Sequence, residues 1–111
     1  MAVIVDTPTP HGLLLAIKEE IGKGKIETWS VDSDGDFTHT PPQWARKAWL
    51  RPSVQDQKLI LRILSPKGQK MSREVYGVFH GRFIEMLVNH FDFKFSQASA
   101  TALPAHGDIV S

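Results

Sequence analysis

Residues 58–91 read KLILRILSPKGQKMSREVYGVFHGRFIEMLVNHF, and the spacing of apolar residues changes once within them. From Lys58 to Leu64 it is two: Leu59, Leu61 and Ile63 fall on one face of a strand, and Ile60, Arg62 and Leu64 on the other. Apolar residues on both faces predict a central strand. Pro66-Lys67-Gly68 marks a turn, and Ser72 is placed to cap a helix from Arg73 to about His90. Val75, Phe79, Phe83, Met86, Leu87 and Phe91 form the apolar stripe of that helix. Gly77 and Gly81 lie inside it, each costing roughly 1 kcal/mol relative to alanine. Close approach of the helix backbone to a sheet is the expected compensation, with a bend there as the alternative.

Outward from this unit, residues 7–21 predict a first helix, with Thr9 as N-cap, Pro10 in the first turn and Leu14, Ile17 and Ile21 on one face. Gly22 and Gly24 mark its end. Alternation from Lys25 onward, the turn-forming run Asp32-Ser33-Asp34-Gly35-Asp36 and a second strand over Asp36 to Thr40 predict a hairpin that Pro41 and Pro42 stop. Trp29 is assigned to the core. Gln43 to Leu50 fits either a short helix or an extended edge closed by Arg51-Pro52. Phe91, Phe93 and Phe95 alternate with polar residues and predict a last strand, which the small residues from Gln97 to Ala102 extend. Val3 to Val5 can add another.

The expected fold is α+β: a two-layer α/β sandwich with a mostly antiparallel sheet of about four strands and two main helices on one face. One domain is expected over residues 1–102, with a flexible C-terminal tail over 103–111. With 111 residues, 41% of them hydrophobic, and six phenylalanines and three tryptophans, the chain can bury a core. It has no cysteine, which removes disulfides, thiolate metal sites and cysteine nucleophiles. Neither a membrane span nor a secretory leader is legible, so a cytoplasmic protein without membrane association is expected.

Charge is segregated along the chain. Residues 1–40 carry three lysines against seven acids, residues 41–82 nine cations against two acids, and residues 83–111 one against three. The total of +1 therefore conceals a basic middle. There Arg46, Lys47, Arg51, Lys58, Arg62, Lys67, Lys70, Arg73 and Arg82 are interleaved with Trp44 and Trp49, the combination that phosphates and unstacked bases require. The expected role is a small non-catalytic binding domain contacting nucleic acid or another polyanion through residues 43–82. One alternative is a homodimer or protein adaptor using an edge strand with Trp44 and Trp49. Another is a small enzyme or ligand-binding protein with His39, His80 and carboxylates around a cleft.

No cofactor or metal is expected. The Asp32-Ser33-Asp34-Gly35-Asp36 run departs from a calcium loop at two places, with its glycine fourth rather than sixth and Gln43 where a glutamate belongs, and a hairpin turn explains it. His80 and His90 are ten residues apart on a helix, hence turned by about 280° from each other. His80 with Glu85 and His90 with Asp92 match no zinc spacing. No nucleophile elbow, phosphate loop or dinucleotide fingerprint occurs.

Overall fold

The computed structural model describes residues 2–102; the predicted tail over 103–111 lies outside them. The elements run β1 (Ala2–Asp6), α1 (Pro10–Gly22), β2 (Trp29–Val31), β3 (Phe37–His39), β4 (Trp49–Gln55), β5 (Lys58–Leu64), α2 (Arg73–Phe91) and β6 (Gln97–Ala100). The six strands make one sheet in the order β2-β3-β4-β5-β1-β6, antiparallel at every pairing. The class is the expected one; the count of about four strands is corrected to six among the described residues.

The core lies between one face of this sheet and both helices. Val3, Val5, Phe37, Leu50, Leu59, Leu61 and Ile63 pack in a single cluster with Leu13, Leu14 and Ile17 of α1 and with Phe79, Phe83, Met86, Leu87 and Phe91 of α2. Trp29 is buried there, its ring edge-on to Phe79 and Phe83 at 5.7 and 5.1 Å. The opposite face carries Ile4, Trp49, Arg51, Ser53, Ile60, Arg62 and Leu64 by strand alternation and register.

Several local readings are corrected. Residues 41–47 form turns, and β4 begins only at Trp49. Pro52 does not close the segment. β3 pairs with β4 at Leu50, so among the described residues β4 has a partner on one side only beyond it, the setting in which a strand tolerates proline. Phe91 ends α2 rather than opening a strand, Phe93 is 76% exposed, and the final strand is Gln97–Ala100. Ser72 caps α2 as expected, its hydroxyl accepting from the Val75 N–H at 3.1 Å. Thr9 precedes α1 without a side-chain cap, and Pro10 begins the helix.

Gly77 and Gly81 do not approach the sheet. Both are exposed, and a Cβ built on either meets nothing within 4 Å. Each therefore leaves backbone entropy uncompensated, and Gly77→Ala with Gly81→Ala should stabilise the domain by about 0.5–1 kcal/mol each. A urea midpoint that stays put or falls in the double variant would contradict this.

Candidate interaction surfaces

The basic middle divides into three places. The first is one end of the molecule, where residues 41–48 lead into Trp49 and residues 65–72 leave Leu64, its direct cross-strand partner. The two segments meet in a cleft of about 220 Å³ lined by Trp44, Lys47, Gln69, Lys70 and Ser72 among others. Of the exposed cations on these segments Lys47 and Lys70 line it, Arg46, Lys67 and Arg73 neighbour lining residues in the chain, and residues 41–49 and 65–73 contain no acid. Trp44 is half-buried and packs on the core, so its ring forms a wall of this cleft and not a projecting anchor. Arg46 has a backbone φ of 62°, a left-handed conformation that costs a side-chain-bearing residue roughly 1–2 kcal/mol.

The second place is the sheet face away from the helices. Trp49, Arg51 and Arg62 share it, with Arg51 directly opposite Arg62. Arg51 is held in a two-pronged pair with the buried Asp36, at 3.0 and 2.8 Å. Arg62 donates to Ser53 Oγ at 3.0 Å and has no carboxylate partner among the described residues. Ile60 and Leu64 on this face are only 7% and 9% exposed, so what it offers a partner is the half-buried Trp49 ring and guanidinium groups. Lys58 is at the far end of β5, paired with Asp6 at 2.8 Å.

The third place is α2, where Arg82 pairs with Glu85 at 3.2 Å. The structure thus puts Lys47 with Trp44 on one cleft, with Arg46 and Arg73 next to its lining residues in the chain, and sets Trp49, Arg51 and Arg62 on the adjoining sheet face, while Lys58 and Arg82 stand apart. Lys67 and Lys70 join the first group. Sequence reading missed that these five loop and cap cations share one end, because strand register alone brings residues 41–48 and 65–72 together.

The aspartate run is a hairpin turn. Asp32 Oδ1 accepts the N–H groups of Asp34 and Asp36, both at 2.9 Å, and Gly35 adopts φ +82°. Carboxylate oxygens of Asp32, Asp34 and Asp36 come within 4.8 Å of one another, but Asp36 is already engaged by Arg51.

Of the histidines, His80 is buried and its Nδ1 donates to the Tyr76 carbonyl at 2.7 Å, a bond to the preceding helical turn. The cleft of about 220 Å³ that His39 lines does not include it. His39 is 4% exposed, lies against Trp29 with ring centroids 4.6 Å apart, and donates from Nδ1 to the Thr28 carbonyl at 2.7 Å. Burial holds its pKa below the ordinary value of about 6.5, with the Thr28 bond opposing and Arg82 and Glu85 acting in opposite directions. The folded state therefore takes up this proton less readily than the unfolded chain. The stability it contributes is complete above about pH 6.5 and is lost as pH falls from there toward the depressed folded value. Urea midpoints at pH 7.5, 6.5 and 5.5 should fall more steeply for the parent than for His39→Gln; equal slopes would assign the acid sensitivity elsewhere.

No family model, curated protein or solved structure matches the chain. Among the described residues no helix is long and apolar enough to cross a membrane.

Proposed function

We propose that the protein is a non-catalytic binding domain whose partner is a single-stranded nucleic acid, held by the basic end and the adjoining sheet face. The observation that carries this reading is that Lys47 and Lys70 line one cleft from two acid-free segments, with the exposed Arg46, Lys67 and Arg73 beside lining residues in the chain. Trp49 stands at the edge of that end, and Arg51 and Arg62 continue the positive charge along the open face. A strand of phosphates crossing the loops gains by counterion release, and a base reaching Trp49 gains a stacking surface without having to be read by hydrogen bonds. The amino end of α2 adds its partial positive charge beside Arg73, offset in part by Glu74 in the same turn. The left-handed backbone at Arg46 supports the same reading, since strain of this kind gathers at functional loops.

The test is binding of a fluorescent mixed-sequence oligodeoxynucleotide, single- and double-stranded, against heparin as a polyanion without bases. The single strand should bind best, with affinity falling log-linearly as salt rises. Equal affinity for heparin would reduce the claim to charge alone. No binding at low salt would end it and turn attention to an adaptor role.

A further inference from the structure

A second cleft lies on the helix side of the sheet, away from the basic end. It encloses about 220 Å³ between residues 25–28, His39 of β3 and the carboxyl-terminal half of α2. His39 is one of its walls. Because the Thr28 carbonyl can only accept, the short bond to it fixes the imidazole proton on Nδ1 and leaves the lone pair on Nε2. Nε2 has no hydrogen-bond partner among the described residues, yet it is not sealed from solvent as Arg62 Nε is. His39 is thus a buried side chain that lines a cleft, is held in one tautomer and keeps an unpartnered acceptor nitrogen.

The mouth decides what kind of donor. Among the lining residues Lys25 and Arg82 balance Glu27 and Glu85, with Asn89 and His90 alongside, and Lys25 also reaches Glu20 outside the cleft at a loose 3.8 Å, so the formal charges of the lining cancel while both signs are present. A simple anion or cation gains little there; a molecule carrying both charges gains from each. Arg82 and Glu85 are more than half exposed, and their mutual bonds of 3.2 and 3.3 Å are long for an ion pair, so each is free to turn to a ligand at small cost. The volume is below the roughly 300–1,000 Å³ of sites for drug-sized ligands, which keeps the occupant small.

We infer that this cleft binds a small zwitterion, an α-amino acid with a short side chain. Its ammonium group donates to His39 Nε2 beside Glu85, and its carboxylate lies on Arg82 and Lys25. This site is independent of the nucleic-acid surface and survives or fails separately from it.

The test follows the histidine ring nitrogens of ¹⁵N-labelled protein by NMR while glycine, L-alanine and L-serine are added to millimolar levels, with acetate and methylammonium as the two halves. A saturable shift of His39 Nε2 with the amino acids, absent with either half, is the expected result. Arg82→Gln and Glu85→Gln are surface changes that leave the fold in place, and each should weaken that titration about tenfold. An unmoved His39 signal, or the same shift with acetate or methylammonium alone, overturns the proposal. So does undiminished affinity in both variants.

Discussion

A variant carrying Arg46→Gly, Lys47→Ala, Lys67→Ala and Lys70→Ala should fold like its parent and lose most of its affinity for single-stranded DNA. All four residues are exposed, and glycine is the residue that suits the φ of 62° at position 46. Each phosphate contact on a single strand contributes a slope of about 0.7 in log affinity against log salt, so at about 50 mM salt each is worth roughly eightfold. Loss of two contacts already gives about sixtyfold, and the slope itself should flatten by about 1.4 or more. Lys58→Ala and Arg82→Gln, which alter cations lying elsewhere, serve as controls and should change neither quantity by more than a fraction of this. If the controls weaken binding as much as the four-site variant, the contact is diffuse and the basic end has no special part in it.

The largest effect on stability should come from Trp29→Ala. The indole is 2% exposed and joins β2 to three aromatic rings, those of His39, Phe79 and Phe83. Its removal leaves a cavity that the short β2-β3 hairpin and α2 must close from opposite sides. A cost of about 3–5 kcal/mol is expected, against a total that for domains of this size is only about 5–15 kcal/mol. Denaturant unfolding followed by far-ultraviolet circular dichroism measures it directly. A cost below about 1.5 kcal/mol, the range of tolerated core exchanges, would mean that Trp29 is not the anchor described above.

The parts of the fold legible in the sequence are those where one period runs long enough to be unambiguous. Helix α2 and strand β5 are readable because the stripe from Val75 to Phe91 and the alternation from Leu59 to Ile63 each fit one geometry. Phe91, Phe93 and Phe95 mislead because two periods overlap at Phe91: it completes the helical stripe, and the apparent alternation that follows lies in a turn. Pro52 misleads because whether a proline ends a strand depends on the length of its neighbour, and β3 stops too soon to need the missing N–H. Gly77 and Gly81 invite an explanation from packing that the solvent around them removes.

The candidate surfaces follow the same division. The charge excess of residues 41–82 is plain in the sequence, but its partition is a matter of register: Arg51 and Arg62 meet because β4 pairs with β5, while Lys58 and Arg82 go to other faces. Likewise His39 is visible as a titratable residue, whereas the Thr28 carbonyl that fixes its proton belongs to the irregular segment before β2.

The position of β1 has a consequence for how the chain is made. The first strand is sandwiched between two late ones, with Ala2 opposite Arg62 and Val3 opposite Ala100, separations of sixty and ninety-seven positions. At about 5–20 residues per second of synthesis, β1 waits roughly 3–12 seconds for its first partner to leave the ribosome. During that interval Val3 and Val5, and then Leu59, Leu61 and Ile63 until they pair, are apolar strand residues without a sheet. Closure over such distances is slow compared with local helix formation. Nascent chains halted before residue 58 should thus lack a sheet centre and hold α1, thirteen residues long, only marginally, and should depend on holding chaperones more than their small size suggests.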